Sequence, residues 1–133
     1  MRIFSWNVNG IRAVRNKGFL KFVKKFNPDI LCLQEIKAEE SQLSEDLTNI
    51  PGYSSCFNSA KTKKGYSGVA IYSKKEPNNV IYGTNINHID YEGRVIQVDY
   101  DELSVISLYL PSGTNIDRLE YKFKFMRDFK EYI

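Results

Sequence analysis

Ile30-Leu31-Cys32-Leu33-Gln34 is a nearly continuous apolar run, and it ends abruptly in Glu35 and Lys37. The run follows the breaker Asn27-Pro28-Asp29, and its length suits a buried β-strand. A carboxylate where such a strand emerges is held at the rim of a sheet. α/β folds place ligands at that rim, and a hard divalent cation takes oxygen donors of this kind. A second strand candidate, Met1–Trp6, runs into Asn7-Val8-Asn9-Gly10. Asn and Gly there suit a tight turn with φ > 0, and they set two amide side chains at a second strand end. Amide oxygens ligate Mg2+ or orient the carboxylate that does. Taken singly, each segment also fits a solvated glutamate or an ordinary Asn-Gly turn.

Other chemistries are thinly represented. His88 is the single histidine and lies in the polar stretch Asn85–Asp90, which reads as surface loop. No nucleophile motif lies near it, so it does not read as a triad histidine, and a single histidine makes no His-rich metal centre. Its two cysteines, Cys32 and Cys56, form no Cys-x-x-Cys pair, which excludes an ordinary structural zinc site. Cys32 inside an apolar strand reads as a reduced, structural thiol. Net charge is +3, compatible with nucleic acid without being diagnostic of it. The distribution says more. Lys61, Lys63 and Lys64 adjoin Gly65-Tyr66-Ser67-Gly68, and Arg12, Arg15 and Lys17 follow the first strand. Cations for phosphates, glycine for close approach and an aromatic for a sugar or base are what a backbone-binding loop needs, although lysines in a solvated loop look the same.

The elements that position these residues form an α/β pattern in one domain of 133 residues. Phe19, Phe22, Val23 and Phe26 recur at helical spacing, so residues 17–26 read as an amphipathic helix ended by Asn27-Pro28. Strand, helix, strand from 2 to 34 predicts a right-handed βαβ crossover in a mixed sheet. Leu43 and Leu47 suggest a short helix near 40–48. Strand candidates then follow at 53–58, 69–72, 80–82, 94–100 and 103–110, the last two joined by a tight Asp101-Glu102 hairpin. Ile116, Leu119, Phe123, Met126 and Ile133 mark an apolar face on a helix over 115–132, capped by Thr114 or Asn115 and expected to pack into the core. Nine Tyr, eight Phe and one Trp supply enough aromatic surface for that core. No apolar run is long enough to span a membrane. Met1-Arg2 leads directly into a strand, so the expectation is no signal peptide and a cytoplasmic protein, nucleoid-associated in a bacterium.

Five ordered motifs carry a family resemblance: Ser-Trp-Asn-Val-Asn-Gly-Ile-Arg at 5–12, Asp-Ile-Leu-Cys-Leu-Gln-Glu-Ile-Lys at 29–37, Gly-Tyr-Ser-Gly-Val-Ala at 65–70, Glu-Gly-Arg-Val-Ile at 92–96 and Leu-Tyr-Leu-Pro-Ser-Gly at 108–113. Together they resemble the exonuclease III family of apurinic/apyrimidinic (AP) endonucleases, within the endonuclease/exonuclease/phosphatase superfamily. The resemblance runs from Met1 to the end of the chain and corresponds to the N-terminal half of a family catalytic domain. It implies half of a four-layered α/β sandwich, with residues 1–133 supplying one mixed, mainly antiparallel sheet covered by helices on one face. The C-terminal half would be absent. It also implies Mg2+-dependent hydrolysis of the phosphodiester 5′ to abasic sites, with 3′–5′ exonuclease activity in related members.

By the same resemblance Glu35 is a ligand of Mg2+, with Mn2+ as the alternative ion, and Asn7 shares the metal and phosphate network. Lys37 and Asn9 orient that site, Asn9 standing where some relatives carry Asp. Tyr109 donates to the scissile phosphate, although alternation alone would make it a core tyrosine. Arg12, Lys63, Lys64, Tyr66, Ser67, Gly68 and Arg94 form the DNA-facing set, with a surface ion pair to Glu92 as the other reading of Arg94. Ser112 stands where the family more often shows Asn, and it can still donate one hydrogen bond. The family's catalytic histidine does not match His88, and no residue matches its general base. Double-stranded DNA with abasic sites is the implied partner. A C-terminal half polypeptide, or a second copy of the chain, would cover the open sheet face. Two other readings stand: a non-catalytic nucleic-acid-binding half-domain, and a relative acting on lipid or inositol phosphates, against which the basic motifs weigh.

Overall fold

The computed structural model describes residues 1–133. Four strands, β1 (Ile3–Asn7), β2 (Ile30–Gln34), β3 (Ser54–Asn58) and β4 (Val69–Ser73), form one sheet in the order β1-β2-β4-β3. Only β1 and β2 run parallel, in register from Ile3 opposite Ile30 to Asn7 opposite Gln34. Every residue of β2 and β4 is buried, as expected for inner strands covered on both faces. Alternation sends Leu31 and Leu33 to one face and Ile30 and Cys32 to the other.

The first face is closed by α1 (Ile11–Arg15), α2 (Phe19–Phe26) and α3 (Glu45–Thr48). Ile11, Phe19, Val23 and Leu47 pack there with Leu31, Leu33, Phe57 and Tyr72. Tyr72 adds a buried phenol donating to Leu47 O at 2.5 Å. The helix read over 17–26 begins at Phe19, because Gly18 stands in the left-handed region at φ 101°. A separate short helix, α1, precedes it. A 3-10 turn at Glu40–Gln42 precedes α3 where one short helix was expected.

The second face corrects a larger expectation. β5 (Asn79–Tyr82), β6 (Val95–Asp99) and β7 (Ser104–Leu108) do not extend the first sheet. They form a separate antiparallel sheet, β5-β6-β7. Ile96, Val98 and Val105 pack onto Ile30, Cys32, Cys56, Val69 and Ile71. The face expected to lie open is therefore the inter-sheet core. The outer face of the second sheet carries α4 (Asn87–Asp90) and α5 (Ile116–Tyr132), through Ile89, Val95 and Phe125. Helices, sheet, sheet and helices thus all come from these residues. The α/β class stands, but the chain is not a single sheet covered on one face. Strand signals fix which segments extend, not which sheet they join; the Glu76-Pro77 break lets the chain leave one sheet for the other.

Two further differences concern helices. His88, expected in a surface loop, sits on α4 and is half-buried, with Nε2 2.7 Å from Asp128 of α5. α5 starts where Asn115 accepts from the Arg118 backbone N–H at 2.8 Å, but its core residues are Tyr121, Phe125 and Phe129. The five apolar residues expected to face the core are exposed. No helix is long and apolar enough to cross a membrane.

Candidate metal and phosphate site

The parallel pairing of β1 and β2 brings their C-terminal ends side by side, and the two loops beyond them are laced together. Val8 N–H donates to Gln34 O, Gly10 N–H to Glu35 O and Ile11 N–H to Ile36 O, all within 3.1 Å. On the other side Ile36 N–H reaches Gly68 O at 3.1 Å and Lys37 N–H reaches Ser67 O at 2.8 Å. Asn9, Glu35, Lys37 and Ser67 all have φ between 48° and 57°. That conformation is uncommon outside glycine, and its concentration here is backbone strain held by the surrounding bonds. The result turns Glu35 out of the strand at a fixed place.

Glu35 keeps 19% of its side chain exposed. Tyr109, the residue directly after the end of β7, donates its phenol O–H to Glu35 Oε1. Burial first, then the bond to Glu35, pushes the Tyr109 phenol up to about 12. It is therefore a neutral donor at every physiological pH. Lys37 Nζ lies 3.7 Å from Glu35 Oε2 and donates to Asn9 Oδ1 at 2.6 Å. Asn7 Oδ1 accepts from Asn9 N–H at 3.0 Å. Glu35, Asn7, Asn9, Lys37 and Tyr109 thus form one connected group.

Two buried polar links hold the sheets in place beneath it. Gln34 Nε2 donates to Ser5 Oγ and Ser107 Oγ, each at 3.1 Å, and Ser107 Oγ donates to Leu33 O at 2.9 Å. This link ties β1, β2 and β7 one residue below Glu35. Its signal in the sequence is a glutamine ending an otherwise apolar strand, since a buried amide needs partners.

The other link is Arg94, which is 1% exposed. Its guanidinium donates to Tyr109 O at 3.1 Å and to the Tyr66 O–H oxygen at 3.2 Å, and it stacks 4.8 Å from the Tyr109 ring centroid. Glu92 lies 3.4 Å from Arg94 and 3.4 Å from Arg118 of α5. Burial pushes the Glu92 carboxyl up, but Tyr66 and the two guanidiniums outweigh it and hold it below the usual range. Arg94 is therefore not a surface group facing phosphates, nor is its pair with Glu92 a surface pair. Two more of the DNA-facing set are inside. Ser67 is 1% exposed with its Oγ unpartnered. Gly68 is buried, and a Cβ there would stand 2.7 Å from Ile36 Cγ1. The basic loop that carries them folds inward against Ile36. Arg12, Lys63, Lys64 and Ser112 are exposed. Arg12 donates to Lys37 O at 3.0 Å, and Lys63 Nζ sits 5.6 Å from the Tyr66 ring centroid.

As a cation site the group is a partial shell. It offers the Glu35 carboxylate and the Asn7 amide oxygen, and nowhere does the chain cluster three His, Cys, Asp or Glu. Such hard oxygen donors fit Mg2+, which keeps several waters and takes one or two carboxylates plus a substrate phosphate. They do not fit a thiophilic metal.

The sequence pattern of the Endonuclease/Exonuclease/phosphatase family matches residues 4–131. The chain is 42% identical, over its whole length, to the DNA repair nuclease APEX1 of Danio rerio, of which it covers 44%. It is 40% identical to an exodeoxyribonuclease of Bacillus subtilis, covering 52% of it. Its fold superposes on an AP endonuclease from Archaeoglobus fulgidus with a TM-score of 0.84 at 33% identity, covering 99% of this chain and 50% of that one. The chain spans about half the length of these relatives.

Proposed function

The chain belongs to the endonuclease/exonuclease/phosphatase family, and from that membership we propose that it carries the metal and phosphate end of a DNA-repair nuclease site. The reaction is hydrolysis of the phosphodiester 5′ to an abasic site in duplex DNA. The observation that carries the reading is the Glu35–Tyr109 pair, a carboxylate and a neutral phenol donor set together from two different sheets. Glu35 and Asn7 would hold Mg2+. The ion supplies charge stabilisation at the phosphoryl oxygens when bound.

The chain's own residues then divide the work. When a phosphate binds, Tyr109 would turn its single phenol O–H from Glu35 to a phosphate oxygen, the role such donors fill in stabilising developing charge. Lys37 and Asn9 keep the Glu35 carboxylate in one orientation. Arg94 and Glu92 fix Tyr109 and Tyr66 from below. Arg12, Lys63 and Lys64 neutralise backbone phosphates. None of these is a general base, and His88 is engaged with Asp128 on α4 and α5. These residues therefore supply the metal and phosphate side of the reaction and not its general base.

The test is cleavage of a duplex bearing one abasic site, with Mg2+, by the chain alone and by the chain joined to the half its relatives carry. Cleavage by the joined protein that Glu35→Gln abolishes supports the reading. Wild-type cleavage by the Glu35→Gln protein at all Mg2+ concentrations refutes it. Relatives named exodeoxyribonuclease make a recessed 3′ end the second substrate to assay.

A further inference from the structure

The apolar residues that line α5 point away from the core. Ile116, Leu119, Phe123, Met126 and Ile133 are between 40% and 76% exposed. Single exposed apolar residues are ordinary, but five in register along one helix are not. Their steps of three, four, three and seven residues follow the heptad seam of paired helices, with Lys130 at the intervening seam position.

Charge chooses the pairing. Glu120 and Arg127 each follow a seam residue, Leu119 and Met126, so they lie on the same flank. Both are exposed, and neither is among the chain's ion pairs, which on α5 engage Arg118 and Asp128 instead. In a parallel pair of α5 helices, Lys122 of one copy would face Arg127 of the other, and Lys130 would face Lys130. In an antiparallel pair centred between Phe123 and Met126, Glu120 faces Arg127 of the other copy, twice over, and Lys130 lies over Leu119. Flanking pairs of this kind set orientation in coiled coils.

We propose that α5 is a self-association surface: two copies of the chain pair antiparallel through Ile116, Leu119, Phe123 and Met126, with Glu120–Arg127 pairs on the flank. The seam lies away from the Tyr121, Phe125 and Phe129 face that packs on the second sheet, so pairing leaves the fold of each copy intact. It replaces the open sheet face as the route to association, and it does not depend on the nuclease reading.

Sedimentation equilibrium of the 133-residue protein, from micromolar to millimolar concentration, tests it. A monomer–dimer equilibrium is expected, weakened about 30-fold or more by Phe123→Asp, as for a central interface anchor. Circular dichroism of that variant should match the parent, because Phe123 is exposed. Glu120→Arg and Arg127→Glu should each weaken the dimer, and the double variant should restore it. A protein monomeric at every concentration overturns the proposal, as does a dimer indifferent to Phe123→Asp or a double variant no better than the singles. A chain that stays monomeric until the relatives' other half is added, and then buries the seam, assigns it to that half and overturns the dimer.

Discussion

Glu35 and Glu92 are both largely buried glutamates beside a tyrosine and a basic side chain, with 19% and 18% of the side chain exposed, yet their surroundings differ in charge. Glu92 faces two guanidiniums at 3.4 Å, one of them fully buried. Glu35 faces one ammonium at 3.7 Å, and that ammonium is 43% exposed and donates to Asn9. Glu92 is a matched ion inside a scaffold. Glu35 has a single, solvent-reaching ammonium opposite it, at a strained strand end. Two carboxylates with similar neighbours therefore do different work, and the count of opposing charges separates them.

The comparison breaks most visibly in activity. With the relatives' other half supplied, Glu35→Gln should lower abasic-site cleavage about 1,000-fold or more, the several kcal/mol a catalytic cation supplies, while its melting temperature stays near that of the parent. Tyr109→Phe should lower kcat roughly 100-fold, the effect of one lost donor to developing charge, with little change in KM. Glu92→Gln should act the other way round. It strands the buried Arg94 charge and should cost about 3–5 kcal/mol of stability, read by urea denaturation.

The acid side sharpens the contrast. The folded Glu92 carboxyl titrates below its ordinary value of 4.5 because Tyr66, Arg94 and Arg118 outweigh burial. A depressed carboxyl adds stability that is present above the unfolded value and is lost as pH falls through the folded one. The melting temperature should therefore drop as pH falls below about 4.5, and the drop should be shallower in Glu92→Gln. The smallest effect belongs to the exposed cations. Removing Arg12, Lys63 or Lys64 should each reduce the slope of log K against log salt for duplex DNA by about 0.9. An unchanged slope for all three would return that surface to plain solvation.

Much of the site was legible because strand ends carry local signals. An apolar run ending in Glu35 and a strand ending in Asn7-Val8-Asn9-Gly10 are each written in a few adjacent residues, and parallel pairing then brings them together. Burial of Arg94, Ser67 and Gly68 was not legible, since whether a polar loop folds inward depends on Ile36 and Tyr109, distant in sequence. Strand positions were readable to within two residues, but the division into two sheets was not, because pairing partners leave no mark on the strand itself. α2 and α5 make the same point for helices. Both show apolar periodicity, and in α2 it leads to the core through Phe19 and Val23. In α5 the core side is the aromatic set Tyr121, Phe125 and Phe129, with polar residues between, and the more regular apolar stripe through Phe123 faces out. Periodicity reports an apolar face; what covers that face is decided elsewhere.

The most direct test of the central claim uses Mn2+ as a paramagnetic stand-in for Mg2+ on the 133-residue protein, followed by NMR line broadening. Broadening should be strongest at Glu35, Asn7 and Tyr109, weaker at Glu92, and lost in Glu35→Gln. Broadening centred on Glu92, or broadening at the strand tip that survives Glu35→Gln, would contradict it.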